Sequence, residues 1–150
     1  MLWPLSRRIL PFSRLKKMND SKIETVQRLY QAFGRKDIPA ILQMLSEDVT
    51  WGEPSNPFNP SGGTRYGHAG FLEWVDIGRQ SEDILELLPT KFLVDHDSFA
   101  VVGHTKVLVK STGKVYETDF VHLFTFHAAK VIKFQEFFDT YAAGQAFRPG

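Results

Sequence analysis

The feature that most constrains this fold is a run of four β-forming segments in the second half of the chain. They cover residues 91–94, 98–110, 114–126 and 130–138 and are rich in Val, Phe, Thr and Ile, which favour strands. Each segment is separated from the next by a turn of three residues. Connections that short predict an antiparallel meander of hairpins.

The first half of the chain carries helical patterns. Apolar residues recur every three or four positions after Ser21, which with Glu24 fits a capping box at the start of a helix. Asp37 can cap a second helix, and a third is predicted over residues 68–80. Residues 81–88 either extend this third helix or form a turn. Helices followed by consecutive strands predict an α+β domain with its helices on one face of a curved sheet.

A long loop follows the second helix and a short strand. Residues 48–51 predict that strand, and residues 52–63 contain three prolines and three glycines, which exclude regular structure. Loops of this length in compact domains are often lids or binding loops. The sequence therefore indicates a candidate binding loop directly after a strand.

The N-terminal segment differs from the rest of the chain in charge. Residues 1–17 hold five basic residues and no acidic residue, so the remainder carries about −4 although the whole chain carries +1. We expect this basic arm to stand outside the fold, because Pro4 and Pro11 would break a long helix. The arm fits a membrane-surface or targeting segment. The alternatives are a disordered tail and translation that starts at Met18.

Composition and motifs exclude several kinds of site. A chain without cysteine has no disulfide, thiolate metal site or cysteine nucleophile. Its five histidines show no metal-ligand spacing, and the sequence contains no phosphate-binding loop or nucleophile elbow. A net charge of +1 disfavours a nucleic-acid binder, and the longest apolar runs are too short to span a membrane. We therefore expect no metal, no nucleic-acid partner and a cytoplasmic location.

Several short motifs, in order along the chain, resemble those of one family. The motifs are Tyr30-Gln31-Ala32-Phe33, Leu45-Ser46-Glu47-Asp48-Val49-Thr50-Trp51, Gly62-Gly63-Thr64-Arg65-Tyr66-Gly67, Ser111-Thr112-Gly113-Lys114, His122-Leu123-Phe124-Thr125-Phe126 and Phe137-Phe138-Asp139-Thr140. In this order and spacing the sequence resembles the SnoaL-like polyketide cyclases, within the nuclear-transport-factor-2-like superfamily that includes ketosteroid isomerase.

The resemblance implies a cone-shaped, curved antiparallel sheet wrapped around about three N-terminal helices, with an apolar pocket. The domain would cover residues 18–141, followed by a short tail over residues 142–150. The resemblance also implies a homodimer formed through the outer sheet face. The usual reactions of the family are proton transfers next to carbonyl groups, in isomerisation, cyclisation or dehydration, and they need no cofactor.

Glu53 is the first candidate for chemistry. It falls where the resemblance to ketosteroid isomerase implies the general base, and that enzyme is a known case of tuned carboxyl groups. Beside Trp51 and Phe58 at a pocket mouth, its charged form would be desolvated, which would raise its pKa towards neutrality. The alternative is a solvated loop residue.

Glu136 and Asp119 form a second candidate pair. Alternation along the last strand predicts that Glu136 faces the same side as neighbouring phenylalanines, and a carboxyl group there needs a partner. The resemblance points Asp119, on the neighbouring strand, to the same side. The alternative is that one or both pair with basic residues on the outer face. His122, on the opposite parity from Asp119, is expected on that outer face.

Tyr30 and Tyr66 are candidate hydrogen-bond donors to a substrate carbonyl, although structural roles would explain either. Leu29 and Val121 occupy the positions that in ketosteroid isomerase hold the oxyanion donors, so that specific reaction is not expected. Expected pocket-lining residues are Trp51, Phe58, Trp74, Val107, Val121, Phe134 and Phe138.

The leading hypothesis is an enzyme that moves a proton on an apolar carbonyl compound, with Glu53 as the base. Asp119 or Glu136 would be the acid or orienting group. One rival is a protein that binds an apolar small molecule in the same pocket without turnover. Another is an association module that dimerises through its sheet and has a filled interior.

Overall fold

The computed structural model of the chain describes residues 12–150, with side chains from Ser21 onward. These residues form four helices and six strands. In chain order they are α1 (Phe12–Gly34), α2 (Ile38–Met44), β1 (Leu45–Glu53), β2 (Gly63–Tyr66), α3 (Gly67–Ser81), β3 (Glu82–Asp95), β4 (Ser98–Val109), β5 (Val115–His127), β6 (Lys130–Phe138) and α4 (Thr140–Phe147).

The six strands form one curved, unclosed sheet in the order β2-β1-β6-β5-β4-β3. The hairpins β3-β4, β4-β5 and β5-β6 are antiparallel, which confirms the predicted meander and the α+β class. The prediction of a purely antiparallel sheet is wrong at one position, because β1 runs parallel to β6. No hairpin connects these two strands, so no short turn dictates their relative direction.

The first two helices close one face of the sheet. Val26 and Leu29 of α1 are buried, as the predicted helical stripe requires. Asp37 caps α2, since its carboxylate accepts a hydrogen bond from the backbone N–H of Ala40 at 3.2 Å. The predicted capping box is wrong, because α1 begins at Phe12 and Ser21 therefore lies inside the helix. Residues 1–11 of the expected basic arm lie outside the described residues.

Two segments differ from the sequence-based prediction. Residues 82–88 do not extend α3 but begin strand β3, where Glu82 pairs with Val109 of β4. The expected tail after residue 141 is instead helix α4, capped by the Asp139 carboxylate and packed through Phe147 against β4 and β5. Pairing and packing with distant residues stabilise both segments, and no local pattern predicts such contacts.

Strict alternation along the strands separates a buried inner face from an outer face. On β4 the odd-numbered residues from Phe99 to Val109 point inward, and on β5 the even-numbered residues from Tyr116 to Phe126 do so. The inner faces pack against α1, α2 and α3 and form the main core. Among residues 12–150, no helix combines the length and the apolar character that crossing a membrane requires.

Candidate active site

A cavity of about 100 Å³ lies between helices α1 and α3 and the inner face of the sheet. Twelve of its twenty lining residues are apolar, and the others are three glutamates, two tyrosines, two threonines and one histidine. Within the described part of the chain, no lysine or arginine lines it. The same part holds no cluster of three histidine, aspartate or glutamate side chains suited to a metal ion. The cavity is therefore an apolar chamber with a few carboxyl and hydroxyl groups.

Glu53, the last residue of β1, projects into this cavity from the same face of the strand as Trp51. One carboxylate oxygen accepts a hydrogen bond from the indole N–H of Trp74 at 2.5 Å, and the other accepts from the Asn59 amide at 2.9 Å. Burial raises the pKa of Glu53 to about 7, and the negative charge of Glu136 adds to the rise. The two donors act in the opposite direction by stabilising the carboxylate. Glu53 therefore exchanges a proton near neutral pH.

The loop after β1 holds Asn59 in place. The Asn59 side chain is buried, and its carbonyl oxygen accepts a hydrogen bond from the backbone N–H of Ser61 at 2.9 Å. At the other end of the loop, the Asn56 amide donates to the backbone oxygen of Thr140 at 2.7 Å. A Cβ atom added at Gly144 would lie only 2.5 Å from the side-chain amide nitrogen of Asn56, so Asn56 occupies the space that a side chain there would need. Because Gly144 has no side chain, Asn56 fits against α4, and this contact anchors the loop that orients Glu53.

A second group of polar residues links α1 to strands β5 and β6. The Tyr30 hydroxyl lies 2.6 Å from Nδ1 of His122, and Nε2 of His122 lies 3.1 Å from the Glu136 carboxylate. His122 is only 7% exposed and stacks on Phe120 at a centroid distance of 4.1 Å, which fixes the plane of its ring. Burial raises the pKa of the Tyr30 hydroxyl, and the charge of Glu136 adds to this, so the hydroxyl keeps its proton.

The tautomer of His122 follows from its partners. A Glu136 carboxylate accepts the Nε2 proton, which leaves Nδ1 of a neutral ring to accept the Tyr30 hydroxyl proton. In the imidazolium form both nitrogens donate, and the Tyr30 hydroxyl is then free to donate to another oxygen. Tyr30, His122 and Glu136 can therefore relay a proton to a group in the cavity.

A third carboxyl group lines the cavity from the far edge of the sheet. Glu82, the first residue of β3, accepts a hydrogen bond from the Tyr116 hydroxyl at 3.1 Å. Burial raises the pKa of Glu82 to about 7; the bond from Tyr116 lowers it, and the charge of Glu136 raises it. Burial also raises the pKa of Tyr116, with a further contribution from the charge of Glu82. Tyr116 therefore stays a hydrogen-bond donor.

Most of the residues expected in the pocket line the cavity. Among the candidates for chemistry these are Glu53, Glu136 and Tyr30, and among the apolar candidates they are Trp51, Trp74, Val107, Phe134 and Phe138. Phe58 does not line it; the ring is 46% exposed and lies beneath the Arg148 guanidinium at 5.9 Å. Val121 lies on the outer face of β5, because only even-numbered residues of that strand point inward.

The expected inward position of Asp119 is also wrong, and Tyr66 does not line the cavity. The side chain of Asp119 is 89% exposed on the outer face, where it accepts a hydrogen bond from His104 at 3.0 Å. Successive residues of a strand point to opposite faces, so an error of one residue in the predicted alternation of β5 assigns every side chain to the wrong face. Tyr66 is 72% exposed at the junction of β2 and α3.

Sequence reasoning missed four polar residues that line the cavity: Glu82, Thr105, Tyr116 and Thr118. The expectation that His122 lies on the outer face is also wrong, because its side chain lines the cavity. A signal for His122 is present in the sequence. It alternates with Phe120, Phe124 and Phe126, and a row of large aromatic residues marks the buried face of a strand. Glu82 carries no such signal, because the segment that holds it lacks a clear strand pattern.

The comparisons with known proteins agree with this architecture. The model of the SnoaL-like domain matches residues 26–134, more than two thirds of the chain. No curated protein sequence matches. An NTF2-like protein from Burkholderia xenovorans LB400 is 29% identical, with a TM-score of 0.79 over 86% of this chain and 97% of that one.

Two further solved structures share the fold. TerC, crystallised with polyporic acid, is 30% identical, with a TM-score of 0.76 over 84% of this chain and 97% of its own. A candidate SnoaL-like polyketide cyclase from Mesorhizobium loti is 17% identical, with a TM-score of 0.64 over 77% of this chain and 97% of that one. Given the domain match and these structures, the chain belongs to the SnoaL-like family of the NTF2-like fold.

Proposed function

We propose that this protein is an enzyme that moves a proton on a small apolar carbonyl compound, with Glu53 as the general base. The observation that carries the proposal is the position of the Glu53 carboxyl group on the wall of an apolar cavity, hydrogen-bonded to Trp74 and Asn59. Burial there raises its pKa to about 7. A base with a pKa near the working pH is ionised often enough to act and still accepts a proton readily.

The Tyr30–His122–Glu136 relay supplies the hydrogen-bond donor that the substrate carbonyl needs. When Glu53 removes a proton next to a carbonyl, negative charge develops on the carbonyl oxygen. A Tyr30 hydroxyl released from His122 donates a hydrogen bond to that oxygen. Preorganised donors of this kind in a site without water are a major source of rate acceleration.

The cavity volume limits the substrate. At about 100 Å³ it is of the same order as the ~150 Å³ engineered cavity that binds benzene. A single five- or six-membered ring therefore fits inside the cavity. TerC, a relative crystallised with polyporic acid, supports a small organic ligand.

Exchange of α-protons into D₂O tests the proposal without knowledge of the natural substrate. We expect the protein to speed deuteration of cyclopentanone, cyclohexanone and 3-cyclohexen-1-one, followed by proton NMR, with a rate that rises with pH through about 7. Glu53→Gln should lose about 10²- to 10⁴-fold of this rate. Glu47→Gln, which replaces an exposed acid on the same strand, is the matched control.

Two results would contradict the proposal. If none of the three ketones exchanges faster than in buffer, the base assignment is wrong. If the ketones bind saturably without exchange, the protein is a ligand-binding module rather than an enzyme.

A further inference from the structure

Glu82 is a carboxyl group on the cavity wall that neither the base nor the relay described above uses. It begins β3, and one of its oxygens accepts a hydrogen bond from the Tyr116 hydroxyl at 3.1 Å. Among the residues that the structure describes, Tyr116 is its only hydrogen-bond donor. A carboxylate on an apolar wall costs stability unless its charge is paired. Glu82 has a neutral donor but no positively charged partner.

The positive groups closest to Glu82 in the fold are engaged with other acids. No lysine or arginine of the described chain lines the cavity, and the only basic side chain on its wall, His122, is paired with Glu136 at 3.1 Å. Lys110 lies outside the cavity, 3.5 Å from the Asp83 carboxylate. The wall at Glu82 therefore attracts cations and repels anions once the carboxyl group is ionised.

Two aromatic rings belong to the same end of the cavity. Tyr116 and Phe138 both line it, and Phe138 packs against the apolar cluster that contains Tyr116. The face of an aromatic ring carries negative charge density and attracts cations. A carboxylate next to such rings combines the two features with which proteins hold organic ammonium groups.

This end of the cavity is also open to solvent. Ile84, which follows Glu82 by two residues on β3, lines the cavity and is 47% exposed. A charged ligand can therefore reach Glu82 from water. An organic cation suits the apolar wall better than a metal ion, because a metal ion needs several carboxyl or histidine ligands, and residues 21–150 bring no such group of three together.

We propose that this end of the cavity binds a small organic cation, a protonated amine or a quaternary ammonium group, with Glu82 as its counter-ion. The rings of Tyr116 and Phe138 contact the alkyl groups of the cation, and the Tyr116 hydroxyl positions the carboxylate. This inference goes beyond the proposed function and does not depend on it, because binding requires no turnover.

Binding of a cation is linked to the release of a proton. Burial raises the pKa of Glu82 to about 7; the bond from Tyr116 lowers it, and the charge of Glu136 raises it. A bound cation favours the ionised form, so the affinity should rise with pH up to about 7 and then level off. The charge of Glu82 also raises the pKa of Glu53, so Glu82→Gln should show a weaker pH dependence rather than none.

Two probes of the same shape and different charge test the inference. Choline carries a trimethylammonium group, and 3,3-dimethylbutan-1-ol carries a neutral tert-butyl group in its place. Calorimetric titration of the full chain at pH 8 should show that choline binds more tightly than the alcohol by about 10-fold or more. Glu82→Gln should lower the affinity for choline by roughly 10- to 100-fold and leave the affinity for the alcohol unchanged. Glu86→Gln, which replaces an exposed acid on the same strand, is the matched control and should change neither affinity.

Phe138→Leu provides a second test that keeps the carboxyl group. Leucine retains an apolar side chain but offers no ring face to a cation. The affinity for choline should therefore fall by about 2- to 30-fold, a larger factor than for the alcohol. An equal fall for both probes would show that Phe138 contributes only shape, and the ring contact is then wrong.

The remaining outcomes decide the role of Glu82. The inference is overturned if choline shows no saturable binding, if the two probes bind equally well, or if Glu82→Gln binds choline as tightly as the unmodified protein. A fall for both probes alike in Glu82→Gln indicates a changed cavity and also contradicts the counter-ion role. The proposed function is judged separately by α-proton exchange, so the failure of one leaves the other standing.

Discussion

The two raised carboxyl pKa values predict that the protein loses stability as pH rises from 5 to 8. Between about pH 4.5 and 7, Glu53 and Glu82 are ionised in the unfolded chain and still protonated in the folded one. Unfolding then releases protons, so the free energy of unfolding falls as pH rises and levels off above the folded pKa. This sign is opposite to that of salt-bridged carboxyl groups, whose stabilisation is lost on acidification.

The magnitude follows from the pKa difference. For one carboxyl group, a rise in pKa from 4.5 to about 7 lowers the free energy of unfolding by about 3 kcal/mol at high pH. Most of this loss occurs between pH 5 and 8. Removing both groups should recover less than twice that amount, because the charge of Glu82 contributes to the pKa of Glu53. Against a typical domain stability of about 5–15 kcal/mol, such a fall is readily measured.

Urea unfolding at pH 5, 6, 7 and 8 checks this prediction. Glu53→Gln and Glu82→Gln should each give a flatter dependence of unfolding free energy on pH than the unmodified protein, whatever their stability at one pH. Glu86→Gln, whose side chain is exposed, should keep the full dependence. If Glu53→Gln and Glu82→Gln lose stability with pH as steeply as the unmodified protein, burial does not raise these pKa values and the reasoning fails.

Three further substitutions test other parts of the structure. Gly144→Ala should leave urea stability nearly unchanged, because about 1 kcal/mol of helix propensity offsets the hydrogen bond that Asn56 loses. The rate of α-proton exchange should fall, because the loop that orients Glu53 shifts. Gly103→Ala should lower urea stability by about 1–3 kcal/mol, because the new methyl group meets the Phe120 ring that supports the relay. Asp119→Asn should leave the exchange rate unchanged in the NMR assay, since that side chain is 89% exposed on the outer face.

The sequence predicts the architecture well where local patterns are strong. Short turns define the hairpins from β3 to β6, and the Asp37 cap and the apolar stripe of α1 appear as expected. The prediction fails where distant contacts decide the structure. Residues 82–88 become a strand only because β4 pairs with them, and α4 exists because its buried residues pack on β4 and β5.

The same limit applies to the candidate site, where sequence patterns predict some residues correctly and others not. The resemblance to ketosteroid isomerase predicts Glu53 and the alternation along β6 predicts Glu136, whereas Asp119 was assigned to the wrong face of β5. On that strand apolar residues occupy both faces, so alternation alone leaves the parity open, and only the larger aromatic side chains mark the inside. The homodimer and the membrane contact of residues 1–17 stay predictions.

The parallel pairing of β1 with β6 has a consequence for folding kinetics. Trp51 of β1 and Phe134 of β6 are directly paired and their rings stack at 4.0 Å, although the two strands lie far apart in sequence. Contacts of such long range form late and slow the folding of a domain. The walls that carry Glu53 and Glu136 therefore meet only when β1 docks on β6, so the local hairpins alone do not form the chamber.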